Sequence, residues 1–294
     1  MAESSPSPSG RRAILSVPGT DTRVIGKALA SGADEVVIDL EDSVPVAGKA
    51  EARERLIGFP WSEHPRPRSV AVRVNAPGTP WFVADVEALV RHHISVDSIV
   101  LPKVESRDDV RFAERLVDGL EREVGVPARL RLQALIETAR GVSALADIVR
   151  DRERLDSLII GYADLAASLG RGSAAGDASW LPVQSAVLVH ARSAGMEAVD
   201  GPHLTVAVDD GFMDSVSAAA AMGFDAKWAI HPRQVKTLAD AFYPSDAEIE
   251  RARRVLDALE AAAGDGRGAV QLDGALVDEA MAVDARRVVA RASR

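Results

Sequence analysis

Eight short runs rich in Val, Ile, Leu and Ala recur along the chain, each followed by a longer segment with helical spacing, and this alternation restricts the fold more than any other feature. The runs are AILSV (Ala13–Val17), EVVIDL (Glu35–Leu40), SVAVRVN (Ser69–Asn75), VDSIVLP (Val96–Pro102), RLQALIE (Arg131–Glu137), LDSLIIG (Leu155–Gly161), MEAVDG (Met196–Gly201) and AKWAI (Ala226–Ile230). Their apolar ends fall roughly every 22 to 39 residues, the scale of repeated βα units. They are too apolar to be half exposed, so helices must cover the outer face of the sheet they form. The helix-like segments carry start signals. TRVIGKALAS follows Thr20 and Asp21, VAGKAEARERL follows Ser43 and Pro45, PWFVADVEALVRH follows Thr79, and SRDDVRFAERLVDGLERE places Asp108 and Asp109 in its first turn, where the helix dipole favours acids. Eight units predict a closed α/β fold, the (β/α)8 TIM barrel. The runner-up, a doubly wound open sheet, normally uses fewer strands and carries a glycine-rich dinucleotide turn, which is missing after the first run.

After AIHPRQV the pattern changes. A Pro-marked turn, FYPSDAEIE, opens an amphipathic helix from Ser245 to about Ala262 with a Ser-x-x-Glu start at Ser245 and Glu248. GDGRGA then interrupts the chain before VQLDGALVDEAMAVDARRVVARA. The expected organisation is a leader over residues 1–10, the barrel over 11–264, and a C-terminal helical extension over 265–294 acting as a lid or subunit contact. The leader MAESSPSPSG lacks the apolar centre of a signal peptide and reads as disordered. With 35 basic against 44 acidic side chains, a net charge of -9 gives no support for binding a nucleic-acid backbone. The absence of cysteine excludes a disulfide scaffold, thiolate catalysis and Cys-containing zinc sites. No apolar run approaches the roughly 20 residues of a spanning helix, so a soluble cytoplasmic protein is expected.

In such a barrel, groups following the strands converge on one rim however far apart they lie in sequence. Asp39, Glu41 and Asp42 end the second run, Arg73 and Asn75 the third, Lys103 and Glu105 follow the fourth, Glu137 ends the fifth and Asp164 follows the sixth. Gathered carboxylates raise one another's pKa unless something positive sits between them, and a hard divalent cation is the economical solution. Mg²⁺ keeps several waters, so one or two carboxylates suffice, and Glu137 and Asp164 are the candidate metal ligands. Glu41 and Asp42 then hold metal-bound waters or the rim cations, with Asp39 a further candidate catalytic residue beside them. The fork of Arg73 suits a substrate carboxylate beside a chelated carbonyl or hydroxyl, a pattern matching 2-oxo and 2-hydroxy acids. On periodicity alone, capping or surface roles for Asp39 and Glu41 and an ordinary ion pair for Arg73 stay open.

The blocks SGADEVVIDLEDSVP with Lys49 and Ala50 to Arg53 downstream, VRVN, LPKVES, LIETARGV, GYADLAASLG, GMEAVDGPH and GFDAKWAIHPRQV, in this order, resemble the HpcH/HpaI aldolase and citrate lyase family, in particular its citrate lyase beta-subunit-like branch with the malyl-CoA and citramalyl-CoA lyases. The resemblance runs from Ile14 through the C-terminal tail. It implies a (β/α)8 barrel assembled as a homo-trimer or hexamer, and Mg²⁺ on Glu137 and Asp164. It further implies Arg73 on the acyl carboxylate, and Glu41 and Asp42 supporting the metal's waters. Arg12, Lys27 and Lys103 are assigned to the coenzyme A arm of the substrate, and Asp278 of DGALVD to an acid/base supplied to a neighbouring subunit. Ala163, Leu276 and Glu279 depart from the family pattern, which touches the water network and the tail more than the fold. The implied activity is Mg-dependent Claisen or aldol cleavage of a short 3-hydroxyacyl-CoA such as citramalyl-CoA or malyl-CoA, with an acyl-CoA and a 2-oxo acid as partners. The alternatives are a CoA-independent 2-oxo acid aldolase and a non-catalytic subunit of a lyase complex.

Overall fold

The computed structural model describes residues 10–126, 130–151, 153–172, 177–264 and 266–292, and residues 1–9 of the expected leader lie outside the described residues. Eight parallel strands close on themselves in sequence order: β1 (Ala13–Pro18), β2 (Glu35–Asp39), β3 (Ser69–Arg73), β4 (Ser98–Leu101), β5 (Arg131–Ile136), β6 (Leu155–Ile160), β7 (Glu197–Asp200) and β8 (Ala226–Ala229). Seven fall within their expected runs, and β1 extends its run by one residue, Pro18. The ring is completed by β1 pairing β8, with Ala13 opposite Lys227 and Leu15 opposite Ala229.

The helices that cover it are α1 (Thr22–Leu29), α2 (Lys49–Ile57), α3 (Phe82–Arg91), α4 (Arg107–Val124), α5 (Ala139–Ser143), α6 (Leu145–Ile148), α7 (Tyr162–Ser168), α8 (Leu181–Ser193), α9 (Asp210–Met222) and α10 (Pro232–Ala241). Their starts follow local chemistry. The Asp21 carboxylate accepts the Arg23 amide proton at the head of α1. Ser106 and Asp109 form a reciprocal capping box on α4, which satisfies amides that have no partner within the helix. At the far end of α4, Gly125 takes φ 70°, the left-handed conformation that lets the last carbonyls be capped.

Strand alternation fills the barrel in layers. A middle layer of Ile14, Val37, Ala71, Val100, Leu135, Ile159, Val199, Ala226 and Trp228 is buried and apolar. Two residues earlier on the strands, at the N-terminal mouth, the filling is polar. Arg11 bonds Glu197 at 2.7 Å and Glu35 at 3.1 Å, and Gln133 bonds Glu35 at 3.0 Å and Ser98 at 2.8 Å. Two residues later, at the C-terminal mouth, come Asp39, Arg73 and Glu137.

A second compact unit is built on Asp240–Arg294. It consists of α11 (Asp246–Gly264), an antiparallel hairpin of β9 (Ala269–Leu272) and β10 (Ala275–Asp278), and α12 (Glu279–Ala292). Ser245 and Glu248 cap α11 as the sequence predicts, the Glu248 carboxylate accepting from both the amide and the hydroxyl of Ser245. Within this unit α11 packs with the tail: Ala252 and Val255 share one core with Val277 and Ala285. No helix among the described residues is long and apolar enough to cross a membrane.

A carboxylate-rich rim at the C-terminal mouth

Strand register builds the rim. Asp39 and Arg73 are paired residues at the ends of neighbouring strands, so both side chains point into the mouth together. Arg73 donates from Nε to Asp39 Oδ1 and from its terminal nitrogen to Asp39 Oδ2, both at 2.7 Å, a bidentate pair. Its other terminal nitrogen lies 3.3 Å from Glu41 and 3.6 Å from Asp42. Asp39 also accepts the amide protons of Glu41 at 2.8 Å and Ser43 at 3.0 Å, which fixes the acidic loop that follows β2. Asp39 thus takes the bidentate face of the Arg73 fork, and one nitrogen remains turned toward the acids.

Lys103 supplies the second cation. Its ammonium bonds Glu41 and lies 3.4 Å from Asp164, 3.6 Å from Asp42 and 4.0 Å from Glu137. Its amide donates to Glu137 Oε1 at 2.8 Å, and its backbone sits at φ 53°, a conformation uncommon outside glycine. Carboxylates delivered by β2, β5 and the first turn of α7 thus surround one ammonium. The charge of Lys103, expected at a coenzyme A arm, is turned toward the acids in this structure.

The charge states follow from this packing. Burial raises the Asp39 pKa, but the hydrogen bond and charge of Arg73 and the bond from Ser43 outweigh it and hold the group below the usual range. Glu41 is pushed up by burial, against the Lys103 bond and the Arg73 charge. Glu137 rises furthest, to about 8: burial dominates, Lys103 and Arg73 oppose it, and the charges of Asp164 and Glu41 add to it. Burial works against the charged form of Lys103, yet its bond to Glu41 and the charges of Glu137, Glu41 and Asp42 raise its pKa.

Two assigned residues lie elsewhere. Arg12 precedes β1, at the opposite mouth, and bonds Asp34 at 3.0 and 2.9 Å; strand direction alone excludes it from the rim. Lys27 is exposed in the last turn of α1, a helix that starts at the rim and runs back away from it. Asp278 ends β10 in the C-terminal unit, exposed, where its Oδ1 accepts the amide proton of Ala280 at 3.0 Å at the head of α12.

Several contributors carry no role in the sequence reading. Lys49 is buried and donates to the carbonyls of Leu40 and Glu41 at 3.1 and 2.9 Å, pinning the acidic loop from beneath. Asn75 reaches the Leu40 carbonyl at 3.2 Å and is itself held by Asp85 at 2.6 Å. Gly161, directly after β6, makes room for Glu137: a Cβ there would fall 2.5 Å from Glu137 Oε2. The signal for Gly161 is its position, a glycine between an apolar strand and the turn carrying Asp164. On the β7–β8 side, a pocket of about 570 Å³ is lined by Tyr162, Trp180, Leu181, Gln184, Asp200 and Lys227. There the buried Lys227 ammonium bonds Asp200, and the Tyr162 hydroxyl joins Asp200 to Gln184.

Among the described residues no group of three or more His, Cys, Asp or Glu side chains is arranged to hold a metal ion. The rim offers instead the pair Glu137 and Asp164, with Glu41 nearby. That set fits a hard divalent cation that keeps most of its waters, since such an ion needs one or two carboxylate ligands and oxygen donors only.

Comparison with known proteins places the chain in a family. The family model described as HpcH/HpaI aldolase/citrate lyase matches residues 12–232. The chain is 33% identical to an L-malyl-CoA/beta-methylmalyl-CoA lyase of Cereibacter sphaeroides, over 98% of this chain and 96% of that protein. It is 34% identical to the citrate lyase subunit beta of Escherichia coli K12, over 96% and 93%. Among solved structures, the protein CitE from Mycobacterium tuberculosis in complex with magnesium, acetoacetate and coenzyme A superposes with a TM-score of 0.75 at 31% identity, covering 97% of this chain and 98% of that one.

Proposed function

The chain belongs to the HpcH/HpaI aldolase/citrate lyase family, and from that premise we propose that it is a Mg²⁺-dependent carbon-carbon lyase acting on a short 3-hydroxyacyl-CoA of the malyl-CoA or citramalyl-CoA type. The observation that carries the reading is the convergence of Glu137, Asp164 and Glu41 on one positive group at the C-terminal mouth. Glu137 and Asp164 would hold the ion, whose chemistry is that of a Lewis acid polarising the 2-oxo group. The magnesium and coenzyme A bound by the mycobacterial relative support both ligands here.

The chain's own residues perform the remaining tasks. The Arg73 nitrogen turned toward Glu41 and Asp42 is the point where the carboxylate of a 2-oxo acid docks, while Asp39 holds the guanidinium by its other two nitrogens. Asp39, pinned by Arg73 and the Ser43 amide, acts as a positioning group. Glu41 and Asp42 accept from waters at the rim. In the condensing direction a carboxylate base removes a proton alpha to the thioester, and the carbon carrying the electron pair attacks the 2-oxo carbon, whose oxygen then takes a proton. Asp278, supplied by a neighbouring copy in a homo-trimer or hexamer, is proposed as that base. Cytoplasmic residence accords with an acyl-CoA substrate.

The test is product analysis by mass spectrometry on the purified chain with a panel of acyl-CoA and 2-oxo acid pairs, with and without Mg²⁺. Metal-dependent C–C bond formation or cleavage is expected, falling by about three orders of magnitude in Glu137→Gln, in line with loss of a ligand that would hold the Lewis acid. Equal turnover after chelation overturns the reading. The 34% identity to a citrate lyase beta subunit favours a second reading, a lyase component that turns over only with partner proteins; activity of the isolated chain dismisses it.

A further inference from the structure

Lys103 stands where the rim's negative charge is densest. Its ammonium bonds Glu41 and lies within 4.0 Å of oxygens of Asp42, Glu137 and Asp164. The other cation of the cluster, Arg73, is already taken by Asp39 on its bidentate face. The backbone that delivers Lys103 is at φ 53°, which costs free energy in any residue with a Cβ and persists where the surroundings demand it. That same residue grips Glu137 Oε1 with its amide at 2.8 Å. One residue thus orients a candidate ligand through its main chain and neutralises the acids through its side chain.

We infer that Lys103 is a resident counter-ion of the rim, whose ammonium holds the carboxylates together before a divalent cation arrives and competes with that cation for Glu137 and Asp164. The inference rests on the metal reading above and adds the residue that sets the affinity. Like charges a few ångströms apart in a half-buried site repel strongly, so a divalent ion drawn to Glu137 and Asp164 must tolerate the ammonium or move it aside toward Glu41 and Asp42. The coupling is reciprocal: what Lys103 subtracts from the cation's affinity, the cation subtracts from the hold of Lys103 on the acids. Lys103 is thereby a positioning residue that tunes metal binding.

The experiment uses the full chain, stripped with a chelator and titrated with Mn²⁺ alone, free ion being read by electron paramagnetic resonance. Lys103→Met and Lys103→Gln remove the charge while keeping an unbranched side chain, which the positive φ accepts as it accepts lysine; Lys103→Arg keeps the charge. The neutral variants are expected to bind Mn²⁺ roughly tenfold or more tightly than wild type, with Lys103→Arg within about threefold of it. Their metal-free melting temperatures fall below wild type and converge with it at saturating Mn²⁺, a pattern that a purely structural role would not give. A neutral variant that folds only with Mn²⁺ present supports the counter-ion role equally. Mn²⁺ binding equal to or weaker than wild type in a folded neutral variant overturns the competition and leaves the metal reading standing. Absence of saturable Mn²⁺ binding in wild type overturns both.

Discussion

The two mouths of the barrel are both filled with charge, but only one is at rest. At the N-terminal mouth, Arg11 lies between Glu35, Glu197 and Asp156, and Gln133, Ser69, Ser98 and Ser157 complete the bonding around it. Among the described residues the indole nitrogen of Trp228 is the one buried side-chain polar atom without a partner, and it belongs to neither mouth's acids. At the C-terminal mouth, Asp39, Glu41, Asp42, Glu137 and Asp164 share Arg73 and Lys103. Acids outnumber cations at both ends, but at the N-terminal mouth neutral side chains from Gln133, Ser69, Ser98 and Ser157 tie the buried acids into the core, whereas at the C-terminal mouth five acids crowd around two cations. Buried charge is a matter of fold where hydrogen bonds complete it, and of chemistry where like charges crowd together.

The contrast breaks first at Arg11. Replacing it with Met removes the guanidinium that faces the buried Glu35 and Glu197, so stability should fall by about 3–5 kcal/mol in denaturant titration. Mn²⁺ affinity of the folded fraction should stay as in wild type. A variant that keeps its stability and loses metal binding would show that the two mouths are not separate.

Gly161→Ala probes the other mouth with a single methyl group. The added Cβ collides with Glu137 and must displace it, so metal affinity is expected to fall by roughly 10–100-fold, as for lost support of a ligand, with the far-ultraviolet circular dichroism unchanged. Unaltered affinity would mean that Glu137 is not held where it must be to bind.

The smallest effect sharpens the comparison through pH. The folded Glu137 carboxyl keeps its proton up to about 8, whereas its ordinary value is 4.5. Across that window the folded state binds more protons than the unfolded one, so the stability contribution present at low pH is lost as pH rises toward 8. In chelator, the melting temperature of wild type should decline over this range more steeply than that of Glu137→Gln. Parallel curves would remove the perturbed titration from Glu137.

Much of this was written in the chain at the level of strands and strand ends. All eight barrel strands coincide with apolar runs, and Asp21, Ser106 with Asp109, and Ser245 with Glu248 start their helices as side-chain oxygens at such positions do. Glu41, Glu137 and Asp164 meet because strand polarity puts them on one rim. Arg12 could have been excluded by the same rule, since it precedes its strand. The pairing of Arg73 with Asp39 needed the register between β2 and β3, which alternation leaves undetermined. The direction of Lys103 was hidden by a loop conformation that lysine seldom adopts. The hairpin of β9 and β10 also has its signal in the sequence: Asp273 and Gly274 take φ 51° and 82°, the turn that an Asp-Gly pair between short apolar strands announces.

The closing seam of the sheet has a consequence for how the protein is made. Ala13–Leu15 lies beside β2 on one edge, but the partner of its other edge is Lys227–Ala229, more than two hundred positions later in synthesis. Until the ribosome has released that segment, this second edge of the first strand has nothing native to pair with, and an exposed edge can pair with foreign strands. A polypeptide of this design stays vulnerable during translation for most of its length, and its acidic mouth becomes a complete ring when the last stave arrives.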